Sequence, residues 1–169
     1  MNYQTSEMKK VLIITYYFPP AGGPGVQRWL KFTKYLPDFG IQPIVYIPEN
    51  PTYPIIDKEL QNEISDKVII LRKKIFEPYS LASFFSKNKT KKISSGIISS
   101  TKKQTILEKI FLWVRGNLFI PDARVFWVKP SVSYLEKYIK ENSITTIITT
   151  GPPHSLHLIG LELKNKLDI

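Results

Sequence analysis

Short unbroken apolar runs alternate along this chain with amphipathic stretches, and that rhythm predicts its elements. "KVLIITYYF" (10–18) has the pattern of a strand buried on both faces. "VQRWLKFTKYLPDFG" then places Val26, Trp29, Leu30, Thr33 and Leu36 at helical spacing, with Pro37 and Gly40 closing the helix. "IQPIVYIP" (41–48) predicts a second strand, and Pro43 near its start implies an edge or first-residue position. A short polar helix over 57–64 and a third strand, "VIILR" (68–72), follow. Residues 86–103 turn to Lys, Ser, Thr and Gly without a period and read as a mobile lysine-rich loop. "TILEKIFLWVRGNLF" (105–119) is helical, although seven of the nine residues from Ile106 to Val114 are apolar. An amphipathic helix over 128–142 sets Val132, Leu135 and Ile139 on one face. "ITTIITT" (144–150) is a fourth buried-type strand, and "SLHLIGLELKNKL" is a last helix.

Strands alternating with helices predict an α/β, Rossmann-like parallel sheet with helices on both faces. Right-handed crossovers put the first strand centrally, the second and third to one side and the fourth on its other flank. The first and fourth strands then form the switch point, where open sheets bind ligands at their carboxyl ends. Both proline-glycine loops, "PPAGGPG" and "TGPPHS", leave those two strands. The pattern sends the two most unusual backbones to one crevice.

Composition narrows the chemistry. The chain has 169 residues, long enough for one domain with its own core, and 43% hydrophobic with 12% aromatic residues excludes disorder. Absence of cysteine removes disulfides, thiolate zinc sites and cysteine nucleophiles, and fits a cytoplasmic setting. His154 and His157 are the only histidines, too few for a histidine-built metal cluster. The net charge of +10 invites anionic partners, but much of it sits in "KNKTKK" (87–92) and "KK" (102–103), where a solvated run is the plain alternative. Those lysines lack interleaved aromatics, so nucleic acid is not an expected partner. Residues 1–9 read as a flexible tail rather than a signal peptide, with Met8 a second candidate start, and no run reaches membrane-spanning length.

The loop between first strand and first helix carries the sharpest signal. A glycine loop entering a helix offers bare N–H groups and the positive end of the helix dipole. Without β-carbons at Gly22, Gly23 and Gly25, a phosphate or sugar can approach closely; a turn needing positive φ would require only one of them. A dinucleotide fingerprint fits poorly, because Arg28 stands where a third glycine is needed and Glu49, the ribose candidate, lies among prolines. No Gly-Lys-Ser/Thr follows the strand, which excludes a P-loop.

The opening 45-residue stretch from "KVLIITYYFPPAGGPGVQRW" to "PENPTYP" closely resembles the start of bacterial family-four glycosyltransferases of the GT-B fold. "IPDARVFWVKP" and "ITTGPPHSLHLIGLELKNKL" resemble the same group, and the lysine-rich loop is the weakest part of the likeness. The resemblance implies an acceptor-side domain over 10–169, the incomplete N-terminal half of a GT-B fold. A nucleotide sugar would be the donor substrate, a sugar or lipid-linked molecule the acceptor, and no cofactor or metal is implied. A C-terminal donor-binding domain would be the missing partner, since the chain stops at "KLDI", where the family begins another strand. The implied activity is a retaining hexosyl transfer in cell-surface polysaccharide or glycolipid synthesis, with the chain alone inactive. The rival reading is a non-catalytic Rossmann-like module for a nucleotide or an anionic surface.

Gly22, Gly23 and, in support, Gly25 are the expected substrate-binding positions of the first loop, and Gly151 of the second. His154 is the catalytic candidate, set to bond donor or acceptor hydroxyls; the alternative is a plain residue at a helix N-terminus. Ser155 and His157 read as a cap and a helix-face residue. Arg124 is an acceptor-side candidate, with a salt bridge to Asp122 as the alternative. Helix 105–119 reads as core, yet beside the lysine-rich loop it also suits peripheral contact with an anionic membrane surface.

Overall fold

The structure is a computed structural model that describes residues 8–76 and 120–169. The expected mobile loop 86–103 and helix 105–119 lie outside the described residues, as does most of the expected tail. Four strands form one parallel sheet: β1 (Lys9–Thr15), β2 (Ile41–Pro48), β3 (Ile69–Lys73) and β4 (Thr146–Thr150). Their order is β3-β2-β1-β4, so β1 is central and β4 lies alone on its other flank, as the winding rule requires. Among the described residues three helices, α1 (Pro24–Tyr35), α2 (Val128–Asn142) and α3 (Ser155–Leu167), flank the sheet. The architecture is Rossmann-like α/β.

Side chains of β1 and β2 alternate between two apolar layers because the strand period is two. Leu12, Ile14, Tyr16, Ile44 and Tyr46 pack with Trp127, Leu135 and Ile139 before and within α2, and with Leu156, Ile159 and Leu163 of α3. On the opposite face, Trp29 of α1 donates its indole N–H to Thr150 Oγ1 at 2.9 Å, and Thr150 pairs in register with Thr15. Helices therefore cover both faces. No helix among the described residues is long and apolar enough to cross a membrane.

Local chemistry sets the element ends. Pro24 starts α1 where a missing N–H costs nothing, and Gly40, at φ 72°, closes the 3-10 turn Leu36–Phe39 that follows. Val26, Leu30 and Thr33 are the buried stripe of α1, while Trp29 stays half-buried. The polar segment expected as a helix over 57–64 is instead a 3-10 turn, Glu59–Glu63, started by the Asp57 carboxylate accepting from the Glu59 N–H at 3.1 Å. It is too short, with too little apolar surface, to propagate an α-helix.

Two strand expectations are corrected. Pro43 does not mark an edge: β2 lies between β1 and β3, but the β2–β3 ladder begins only at Ile44↔Ile69. Pro43 thus sits below the start of that ladder, where its missing donor breaks no pairing with β3. β4 is not fully buried either, since every one of its residues is half-exposed. It holds one strand neighbour, β1, among the described residues.

Polar groups inside the larger core layer are paired. The Tyr46 hydroxyl lies 2.8 Å from Ser131 Oγ and accepts from Trp127 Nε1 at 3.2 Å, while the two rings stack at 5.5 Å. Burial is the main cause that pushes the Tyr46 phenol above its usual range. Tyr46→Phe strands both partners in apolar surroundings, so an expected loss of about 1–3 kcal/mol follows. Urea unfolding of Tyr46→Phe beside Phe32→Ser, a substitution at an exposed position, checks this; equal midpoints would refute it.

Candidate functional site at the carboxyl edge

β1 and β4 run parallel with Thr15 opposite Thr150, so the loops that follow them leave the same edge of the sheet side by side. The Trp29–Thr150 bond ties the helix after the first loop to the last residue before the second. The expected adjacency of the two strands, with both loops starting at one edge, is present.

The three glycines of the first loop differ in what they can offer. The Gly22 N–H donates to the Ile55 carbonyl at 3.0 Å, and a β-carbon there would meet Ile55 Cγ2 at 2.9 Å and Asp57 Cβ at 3.2 Å. Gly22 therefore serves packing of the loop against 55–57, where the Asp57 N–H also donates to the Pro20 carbonyl at 2.8 Å. Gly23 precedes α1 at φ 114° and ψ 165°, a conformation essentially confined to glycine, and open space surrounds it. Gly25 is exposed in the first turn, also with open space where a β-carbon would stand. Among the described residues no side chain bonds the first-turn N–H groups of α1, and that turn holds no acidic residue, so the positive end of the helix faces Gly23-Pro-Gly25.

The second loop is built differently. Its helix, α3, already has an anion from the protein. Asp122 Oδ2 accepts from the Ser155 N–H at 2.8 Å, and Oδ1 accepts from the Ser155 hydroxyl at 2.9 Å and the Arg124 N–H at 2.8 Å. Ser155 is thus a buried first-turn residue, and the cap comes from Asp122, distant in sequence. That role was not legible in "IPDAR", because only folding brings the two segments together.

His154 is exposed at the start of α3, and its ring stacks on His157 at 6.0 Å. His157 Nδ1 lies 2.9 Å from Thr149 Oγ1, which orients that ring. A β-carbon on Gly151 would meet His157 Nε2 at 3.0 Å and His154 Nδ1 at 3.3 Å. Glycine at 151 is what lets both imidazoles close over the backbone at the end of β4. His157, read as a plain helix-face residue, is part of this cluster. Among the described residues no group of three or more His, Asp or Glu side chains is placed to hold a metal ion.

Arg124 turns to an aromatic cluster beneath the loops. Its guanidinium lies 5.0 Å from the Tyr16 ring centre, and Nη2 donates to the Tyr16 hydroxyl at 3.3 Å. That hydroxyl also accepts from the Thr52 N–H at 3.0 Å, and the Tyr53 hydroxyl donates to the Tyr16 carbonyl at 3.1 Å. The aromatic network fixes the chain just past β1, from which the glycine loop springs. Burial pushes the Tyr53 phenol up to about 12. Two open depressions of about 320 Å³ each lie elsewhere on the described residues, one between the ends of α2 and α3 and one along the outer side of β4. Neither depression touches the glycine loop.

Comparison of the chain with known families, curated proteins and solved structures returns no match.

Two outcomes are expected. A bulky residue at Gly23 damages folding as well as any ligand contact, by about 1–3 kcal/mol, because of the backbone conformation it must adopt. Gly25→Leu fills the same approach with no such strain, and thermal melts should show Gly23→Leu well below wild type with Gly25→Leu close to it. The second concerns alkali. The folded Tyr53 phenol ionises at higher pH than in the unfolded chain, so its stabilisation is whole below pH ~10 and is lost as pH rises through about 12. Tyr53→Phe should flatten the fall in stability between pH 10 and 12, read by urea unfolding at each pH.

Proposed function

We propose that this chain is the acceptor-side domain of a nucleotide-sugar-dependent glycosyltransferase acting in polysaccharide or glycolipid synthesis at the cytoplasmic side of a membrane. The observation that carries the reading is the shared edge of β1 and β4, with an uncapped helix behind Gly23-Pro-Gly25 and an imidazole pair over Gly151. The difference between the helices divides the labour. α1 has no side-chain cap among the described residues and has open backbone at its positive end, suited to the donor diphosphate. α3 is neutralised by Asp122 and presents His154, suited to hydroxyl groups of the sugars.

In this reading the bond between the anomeric carbon and the diphosphate oxygen breaks, and the acceptor oxygen bonds that carbon on the same face. The acceptor hydroxyl's proton passes to the leaving diphosphate oxygen, which takes the electron pair of the broken bond. The chain positions the reactants and supports charge on the leaving group rather than forming bonds itself. A second α/β unit outside these residues supplies the donor-side wall.

The test has two arms. Titration of the 169-residue chain with a nucleoside diphosphate should shift the amide resonances of Gly23 and Gly25 far more than those of α3, and Gly25→Leu should abolish the response. Unmoved α1 amides would end the proposal. In an active assembly with the donor-side unit, His154→Ala should lower turnover about 10- to 100-fold with unfolding unchanged, as for one lost hydrogen bond to a reacting polar group. The chain alone should show no transfer with nucleotide sugars and lipid-linked acceptors, and transfer by it would contradict the one-walled cleft.

A further inference from the structure

The outer face of α1 is occupied by aromatic residues. Phe32 and Tyr35 are each 53% exposed, and Phe39, in the turn that prolongs the helix, is 78% exposed. With Arg28 they recur at spacings of four, three and four, which is one helical stripe. The buried stripe of Val26, Leu30 and Thr33 lies on the opposite side. Among the described residues the aromatics are therefore surplus to the core. Trp29, half-buried at the border, meets Phe32 edge-on at 5.6 Å and holds that ring outward.

Charge accompanies the stripe. Residues 24–39 hold three basic side chains, Arg28, Lys31 and Lys34, and one acidic, Asp38. Lys31 pairs with Glu63 of the 3-10 turn, whose carboxylate also attracts Lys34; Lys34 stays exposed at the border of the stripe, while Arg28 lies in line with the rings. Aromatic rings that reach headgroup depth, flanked by cations, match the chemistry of an anionic bilayer interface. We infer that this face of α1 docks the chain on anionic lipid, with Phe32, Tyr35 and Phe39 entering the headgroup layer and Arg28 and Lys34 meeting lipid phosphates.

Two other occupants fit less well. A second copy of the chain, at net charge +10, would bring like charges together at Arg28 and Lys34. Single-stranded nucleic acid stacks its bases within basic grooves, and this surface is the convex side of a helix. The inference does not depend on sugar transfer, because a non-catalytic module with the same α1 would dock in the same way.

The test is sedimentation of the full chain with phosphatidylglycerol-containing and pure phosphatidylcholine vesicles. Wild type should bind the anionic vesicles at low salt and release as salt rises. Phe32→Ser with Phe39→Ser should lower the partition coefficient about tenfold on anionic vesicles, with circular dichroism and melting unchanged. Arg28→Gln with Lys34→Gln should weaken binding and flatten its salt dependence. Changing the six lysines of 87–103 to glutamine separates the two basic regions: that variant should still lose affinity when Phe32 and Phe39 are replaced. The inference is overturned if the phenylalanine variant binds vesicles as wild type does. It is equally overturned if those replacements abolish dimer formation or RNA binding while leaving lipid binding intact.

Discussion

Everything at the carboxyl edge depends on the parallel pairing of β1 with β4. The register from Val11↔Thr146 to Thr15↔Thr150 fixes where each strand stops, and therefore where each proline-glycine loop begins. A parallel ladder in an interior strand tolerates little slip, because a one-residue shift would turn Leu12 and Ile14 away from the layer they share with α2 and α3. The Trp29–Thr150 hydrogen bond adds a second tie across the same edge. Site geometry is thus inherited from core packing.

That frame also explains why the two helix N-termini differ. Both follow strands of one sheet and both point their positive ends toward its carboxyl edge. Asp122 arrives from the segment before α2 and satisfies α3 from outside its own loop. Among the described residues no carboxylate bonds the first turn of α1, and a glycine with positive φ stands before it. One helix end is closed by the protein and the other is left for solvent or ligand. In the proposed chemistry this separates the charged leaving group from the neutral hydroxyls.

The outer face of α1 shows a separate use of the same helix. Its inner stripe holds the glycine loop against the sheet, and its outer stripe carries rings that the core does not need. A helix anchored on one side by Val26 and Leu30 can present Phe32 and Phe39 rigidly on the other. Docking there and ligand capture at its N-terminus would act through opposite faces of one rigid element.

Much of this fold was legible in the order of residues. The apolar runs located β2 and β3 to within a residue and β1 and β4 to within three, since β1 stops at Thr15 and β4 starts at Thr146; the stripes Val26-Leu30-Thr33 and Val132-Leu135-Ile139 fixed which helix faces are buried, because periods of two and 3.6 are local properties of the backbone. The winding rule then gave the strand order. Other features needed tertiary contacts. Gly22 proved to be a packing glycine because Ile55 lies over it, Pro43 proved harmless because β3 starts late, and His157 joined the site because Thr149 and Gly151 shape its ring's position. Asp122 became the cap of α3 across a gap of 33 residues. The sequence by itself determined which segments become strands, helices and loops, since neighbouring residues decide that. Only the tertiary structure decided which polar groups are left open to a ligand, because an N–H or carboxylate is available only when no distant part of the chain has already bonded it.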